Sequence, residues 1–445
     1  MHLIAIYKNF RGALKRKGLL VFGIRFFQCI LAVPIALIIL LISPIYKIRF
    51  IKLYSSRIGQ YGSNTHLLLC ALESNDYPDE RNCKHFYYSY DEVPICNKFF
   101  HKMWSRTIPI LPCGALCSFV DRTLIAVLKD RYLTPFKIMF EGSPGGYDQW
   151  GYLSKYKKQF ISFTQKEELT GSELINQLGI PIDKPFVCLL VRDSKYLQAR
   201  MPDTDDWRYH KYRDVTVENY ISTIEFLTQN GFYVVRMGKE VNSALNFHDS
   251  KFIDYANHSL RSDFLDIYLS ANCYFFISTA TGIDCIASIF HRPLLMTNAI
   301  LCDIYCDRDW LLTISKNVLC VKTNSLVPYE DIYRDYTHFY LSNKYIGQDP
   351  RLLMFLAWEK KGWRLIENTS DEILSAVKET VDTLANHFVE TDEMKNQQEL
   401  FWKCFPAPAT TRNKTYKDIK MRISPSFLKK HINLLTSEPV CEIIQ

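Results

Sequence analysis

The chain opens on one long apolar run and then settles into an alternation of short apolar strands and amphipathic stretches. From Phe26 to Tyr46, FFQCILAVPIALIILLISPIY carries no charge, and only Gln28 and Ser43 add polar side-chain groups beyond the tyrosine hydroxyl. A helix of about 20 residues rising 1.5 Å each matches a hydrocarbon layer of about 30 Å, so the run predicts a membrane anchor. A secretory signal would have a shorter apolar region and a small-residue cleavage site, whereas this run continues into KIRFIK. Basic residues flank both ends and leave the topology open. A break at Pro34 lets the helix dip into one leaflet and return, with both ends on the cytoplasmic face; an unbroken helix spans.

Beyond the anchor, IRFIKLY, NTHLLLCALES, HFYYSY, NKFFHKMWSR and TIPILP alternate strand and helix patterns. The amphipathic stretch TQKEELTGSELINQLGIP follows as a connector, stopped by Gly179 and Pro181. A second alternation runs through KPFVCLLVRD, TVENYISTIEFLTQNG, FYVVRMGK, KFIDYA, SDFLDIYLSAN and CYFFISTATGIDCIASIFHRPLLMTN. Further on, NTSDEILSAVKETVDTLANHF reads as a helix with Asn368, Thr369 or Ser370 as N-cap, and SPSFLKKHINLL as a closing helix. This alternation predicts βαβ units and a mainly parallel sheet. The expected organisation is a basic tail (1–18), a membrane anchor helix (19–46), a first Rossmann-like lobe (47–165), a second lobe (166–395) and a C-terminal extension with a closing helix (396–445). The fold class is α/β, with two doubly wound lobes facing a cleft at the carboxyl ends of their strands, where open α/β sheets bind ligands.

Composition narrows the function. At 445 residues, 48% hydrophobic and 23% charged, the chain suits two globular cores. The net charge of +7 looks basic, but Lys8, Arg11, Lys15, Arg16, Lys17, Arg25, Lys47, Arg49, Lys52 and Arg57 all fall within the first sixty residues. That placement argues against nucleic acid, which needs a basic stripe on the folded domains, and suits a membrane surface. Fourteen cysteines, mostly in apolar runs, indicate a reduced compartment. The pairs Cys113/Cys117 and Cys302/Cys306 are spaced more loosely than a CxxC knuckle, so no zinc is expected. No Pro- or Ser-rich stem follows the anchor, and the sequons at Asn257, Asn368 and Asn413 are about what chance gives. The folded part is therefore expected on the cytoplasmic side.

The candidate chemistry sits at strand ends of the second lobe. CYFFI ends as a buried strand; Ser278, Thr279 and Thr281 bring hydroxyls; Gly282 lets backbone approach a ligand; and IDCIASIF starts a helix. A helix N-terminus offers unsatisfied N–H groups and partial positive charge to a phosphate or a sugar hydroxyl. The plainer alternative is that Thr281 caps that helix, with Asp284 closing a capping box. VCLLVRD releases Arg192 at its end, and YVVRMGKE releases Arg236, Gly238 and Lys239. Arginine presents phosphate with a permanently charged planar fork, which lysine matches only as a point charge. For Arg192 the structural alternative is a salt bridge, to Asp193 or a neighbouring acid. DTDD at 203–206 reads as a solvated acidic loop, and no metal or other cofactor is expected. No GxxxxGK[ST] motif occurs, which sets aside a P-loop kinase.

The runs FVCLLVRDSKY, YRDVTVENYISTIEFLTQNGFYVVRMGKE, FIDYA and SDFLDIYLSANCYFFISTATGIDCIASIFHRPLLMTN resemble a family of bacterial glycosyltransferases associated with surface-polysaccharide loci. The likeness spans roughly Lys47 to Leu435. More distantly, a strand ending in Arg followed by DIYLSAN and FFISTATG is similar to the donor-binding part of fucosyltransferases that use GDP-sugars. It departs beside Arg192, where those enzymes tend to carry a histidine or a second arginine and this chain has Leu190, Val191 and Asp193, which leaves the donor nucleotide open.

The resemblance implies a GT-B architecture and a nucleotide-sugar donor held by the C-terminal lobe without metal. Arg192 would contact the diphosphate. Ser278, Thr279, Thr281 and Gly282 would surround diphosphate and nucleotide, and Arg236, Gly238 and Asp254 would border the same pocket. An inverting reaction also needs a base from the first lobe. His66 is the candidate, in the helix after the turn SSRIGQYGSN, which brings Arg57, Gly59 and Gly62 towards the cleft; Glu141 and Asp148 are comparable. The expected partners are a nucleotide-sugar, a lipid-linked or polysaccharide acceptor, and the cytoplasmic face of the inner membrane. The rival is a non-catalytic scaffold of the same fold in a polysaccharide-assembly complex.

Overall fold

The computed structural model describes residues 23–90, 94–137, 148, 151–192, 212, 214–239, 244–300, 311–341, 350–404 and 420–435. The apolar run forms one helix, Gly23–Ile42, that passes through Pro34 without a break. Proline removes a single N–H and crowds the Ile30 carbonyl, and the Ala, Ile and Leu residues around it carry the helix onward.

The chain divides into two compact units. The first comprises 1–146 with 160–162. Its parallel sheet has the order β1 (Lys47–Leu53), β2 (Cys83–Ser89), β3 (Ile110–Leu111), with Lys47 opposite Cys83 and Leu53 opposite Ser89. The order is sequential, so among the described residues this unit lacks the reversal that makes a sheet doubly wound, contrary to expectation. The expected turn SSRIGQYGSN is also shorter than the sequence suggests. A helix begins at Ile58 and runs to Glu73, with Gly59 and Gly62 inside it and Arg57 as its N-cap. Glycine costs a helix about 1 kcal/mol, and the apolar face that follows, Leu67 to Ala71, is buried and offsets it. Behind β1 lies a buried polar knot: Lys137 Nζ donates to Phe50 O and Asp121, and the Tyr88 and Tyr132 hydroxyls donate to Asp121 at 2.8 and 2.9 Å. The buried charges compensate one another, as burial requires.

The second unit comprises 147–159 and 163–445. Its strands are β4 (Phe186–Leu190), β5 (Tyr233–Arg236), β6 (Phe252–Ile253), β7 (Phe275–Ser278), β8 (Leu294–Ala299) and β9 (Leu311–Ser315), then an antiparallel trio β10 (Asn317–Cys320), β11 (Ser325–Leu326) and β12 (Trp363–Ile366), then β13 (Arg422–Ile423). The main sheet is parallel, in the order β13-β9-β8-β7-β4-β5-β6. Every residue of β4 and β7 is buried, which is why both read as continuous apolar runs. The stretch expected as a connector is the helix Gln165–Gln177, started by a capping box between Thr164 and Glu167 and belonging to this unit. Thr369 is the N-cap of the helix Ser370–Leu384, again with a capping box, to Glu372. The segment expected as an extension supplies β13 to the main sheet, and its Phe401, Phe427 and Leu428 share the same core.

From β4 the chain winds through β5 and β6 on one side, then returns to place β7 on the other side of β4. Connections leave these two strands in opposite directions, the arrangement in which open α/β sheets place ligands outside the carboxyl ends of their strands.

Candidate functional site

Two of the sequence-predicted features meet at this reversal. Leu190 of β4 lies opposite Ser278 of β7. Just beyond, the Thr279 N–H donates to Leu190 O at 3.3 Å, and the Arg192 N–H donates to Thr279 Oγ1 at 3.0 Å. The strand-end arginine and the hydroxyl-rich turn are thus stitched together at the switch point.

The turn differs from expectation in how it is built. The Ser278 hydroxyl donates to Asp284 Oδ2 at 2.7 Å and accepts the Thr281 N–H at 3.3 Å. Ser278 and Thr279 are buried, so their hydroxyls hold the turn in shape. Thr281 is half-buried and Gly282 exposed, and these present the turn's outer edge. The left-handed residue is Ala280, at φ 56°, and Gly282 has no positive φ. The following helix, Asp284–Ile289, is six residues long, its N-cap is Ile283, and neither Thr281 nor a capping box starts it. Its own Asp284 already places negative charge in the first turn. Attraction for an anion therefore falls chiefly on Arg192 and less on the helix end.

Arg192 is largely buried, with its side chain 13% exposed, and its Nε lies 3.6 Å from Asp214 Oδ1. The Val215 N–H returns to Arg192 O at 3.2 Å. A second cation reaches the same segment: Lys316, just past β9, donates from Nζ to Tyr212 O and Asp214 O at 2.9 Å each. Burial holds its ammonium below the ordinary lysine pKa, with Glu367 and Asp214 acting in the other direction. Lys316 is absent from the sequence candidates. Its signal is present, since LLTIS followed by Lys repeats the pattern of VCLLV followed by Arg. Next door, the Tyr220 hydroxyl and Thr297 Oγ1 lie 2.6 Å apart, and Asn298 and Asn368 each take the other's backbone N–H, at 2.6 and 2.8 Å. These bonds fix the bulged end of β8.

One strand outward from β4 the charges are already matched. Arg236 is 4% exposed and its Nη1 donates to Asp254 Oδ2 at 3.3 Å, where Asn257 Nδ2 also donates at 2.9 Å. Gly238 is half-buried in the loop after β5, and Lys239 pairs with Asp263 at 3.7 Å. Behind them, burial pushes the Asp266 carboxyl up to about 6, against the pull of Arg261 and the Tyr255 hydroxyl. The expectation that Arg236 faces a ligand gives way to a compensated pair with Asp254.

In the first unit, His66 is 1% exposed, with its ring edge-on to Phe160 at 5.4 Å. A base must reach an acceptor hydroxyl, and the burial of His66 gives it a packing role in place of the predicted one. Arg57, half-buried, is the helix N-cap, and Gly59 and Gly62 lie within that helix instead of in a cleft-facing loop. Asp148, in the second unit, is buried and accepts the N–H groups of Tyr152 and Leu153 at 3.0 and 2.7 Å, which makes it a local helix start. Glu141, Asp193, DTDD at 203–206, Cys302 and Cys306 lie outside the described residues.

No protein-family model and no curated protein matches the chain. Among solved structures it is similar to the ADP-heptose LPS heptosyltransferase II of E. coli, at TM-score 0.33 and 13% identity over 60% of this chain and 90% of that one. It is also similar to a glycosyl transferase family 9 protein from Veillonella parvula, at TM-score 0.34 and 8% identity over 71% and 97%. A third is the dodecameric iron-containing heptosyltransferase TibC, from E. coli, at TM-score 0.32 and 10% identity over 76% of each chain. Likeness this distant carries no functional weight, and the functional reading rests on the geometry of the chain itself.

Proposed function

We propose that the chain is a glycosyltransferase that takes a sugar from a nucleotide-sugar donor and receives the donor's diphosphate at the β4/β7 end of the second unit. The observation that carries this reading is the bond from the Arg192 N–H to Thr279 Oγ1, which ties the backbone of a strand-end arginine to the turn at a topological switch point. In the transfer, the bond between the anomeric carbon and the diphosphate breaks, a bond to the acceptor oxygen forms, and the acceptor's proton leaves to a base. Negative charge grows on the departing diphosphate, and a preorganised cation there lowers the barrier. Arg192 fills that role, with Lys316 adding positive charge through the Asp214 segment. The acceptor is a lipid-linked or polysaccharide sugar at the cytoplasmic face of the inner membrane, where the apolar helix keeps the enzyme near it.

A panel of UDP, GDP, ADP, CMP and dTDP, read as shifts in melting temperature, tests the donor site. A ligand at a hundred times its Kd adds about 2.7 kcal/mol to apparent stability. One nucleotide giving a clear shift, reduced by Arg192→Ala, supports the reading; equal shifts in the variant remove Arg192 from the site. The scaffold reading draws support from the compensated Arg236–Asp254 pair and the buried His66. It predicts no donor-dependent product with any nucleotide-sugar.

A further inference from the structure

The helix Gly23–Ile42 meets the usual test for a membrane span, yet its packing is that of a helix lying against a folded protein. Its buried and half-buried residues are Arg25, Gln28, Cys29, Ala32, Ile35, Ala36, Ile39 and Leu40, followed just past its end by Ser43. That three-and-four spacing draws one stripe along the entire helix. Ala32 and Ala36 are 1% and 0% exposed, and with Ile39 they share a core with Phe50, Tyr88, Cys117, Val120, Leu124 and Tyr132 of the first unit. Small side chains at this seam let the helix backbone approach closely. At the amino end the Arg25 guanidinium lies 5.7 Å from the Tyr90 ring centroid, so that end is tied down as well.

The opposite face is apolar and bare. Phe27, Ile30, Val33, Leu37, Ile38 and Leu41 are between 50% and 80% exposed. A soluble monomer seldom exposes a contiguous apolar patch beyond a few hundred Å². The first sixty residues carry ten Lys and Arg and no Asp or Glu, a local excess of the sign that anionic headgroups attract, even with Arg49 paired to Glu80.

We infer that this helix is a one-leaflet anchor: it lies along the first unit by its Ala32–Ala36–Ile39 seam and sinks its outer face into an anionic lipid surface, with both of its ends on the same side. Spanning would carry the helix's roughly 30 Å of length through hydrocarbon together with the surface to which it is bound. That surface includes the exposed charges of Arg122, Lys129, Asp130 and Arg131, on and just after the helix Gly114–Leu128 that supplies Val120 and Leu124 to the seam, which hydrocarbon does not tolerate. The inference is independent of any sugar transfer.

The experiment uses the full chain with a cleavable tag at each terminus, bound to preformed vesicles of phosphatidylethanolamine and phosphatidylglycerol, with protease added outside. Doubly cleaved molecules are expected; molecules cut at one tag and protected at the other would show a span and overturn the inference. In parallel, Leu37→Glu/Leu41→Glu should cut vesicle co-sedimentation at least tenfold with the melting temperature unchanged, because neither side chain packs on protein. Ala36→Phe should do the reverse, lowering the melting temperature while vesicle binding persists. Undiminished vesicle binding by the double glutamate variant, or a detergent-free dimer that those glutamates dissociate, would show that lipid is not what covers this face.

Discussion

Arg192 and Arg236 sit at the ends of neighbouring parallel strands, yet the fold gives them opposite environments. Arg236 is sealed against Asp254, the residue just after β6, with its charge cancelled. Arg192 lies at the reversal of strand order, fixed through its backbone to Thr279, with its carboxylate partner 3.6 Å away and partly open to solvent. Both arginines face a carboxylate, but the partner of Arg192 is farther away and more open to solvent than that of Arg236. Substitutions at both sites test this contrast.

The largest effect is expected from Arg236→Ala. It strands the Asp254 carboxylate, whose partial exposure moderates the cost to about 2–3 kcal/mol, measured by urea denaturation. Arg192→Ala should cost less, about 1–2 kcal/mol, since its carboxylate partner is farther away and more open to solvent. Equal losses at the two sites would erase the distinction.

A pH titration compares the two units. Burial alone would raise the Glu80 carboxyl, but hydrogen bonds from His85 and Thr134 and the charge of Arg49 outweigh it and hold the pKa at about 2. With its folded pKa depressed, Glu80 stabilises the first unit above pH 4.5 and loses that contribution as pH falls from 4.5 towards 2. Asp266 has the opposite sign: its folded pKa is raised from 3.8 to about 6, so the second unit is favoured at low pH and loses stability as pH rises from about 4 through 6. At 1.36 kcal/mol per unit, each amounts to about 3 kcal/mol. Glu80→Gln should flatten the acid limb, and Asp266→Asn the limb between pH 4 and 6.

Thr279→Val removes the acceptor for the Arg192 N–H. It should cost about 1–2 kcal/mol and weaken nucleotide binding by loosening the backbone that carries the guanidinium. The smallest change is Ala280→Gly, which relieves a left-handed alanine and should add about 0.5 kcal/mol or less to stability, with no loss of nucleotide response.

Many of the strands and helices were legible because apolar periodicity reports burial directly: VCLLV and FFIS are buried on both faces and read that way, whereas β9 to β12 and the helix Gly114–Leu128 went unread. Thr369 was among three N-cap candidates because capping is a local signal, whereas the capping box at Thr164 went unread. Partnership was not legible. Nothing near Arg236 in sequence reveals Asp254 as its cover, nothing near Arg192 reveals that Thr279 would accept its N–H, and the left-handed residue fell on Ala280 beside the glycine that invited it. His66 illustrates the same gap, because helical spacing gives a face but not what lies against it, here Phe160. The strand order that creates the switch point is likewise a long-range property.

The most direct test is the nucleotide-dependent rise in melting temperature, measured for the wild type and for Arg192→Ala under identical conditions. A rise of several degrees with one nucleoside diphosphate, cut to a small fraction in the variant, is the predicted result. An undiminished rise in the variant would contradict the assignment of the donor diphosphate to the β4/β7 switch point.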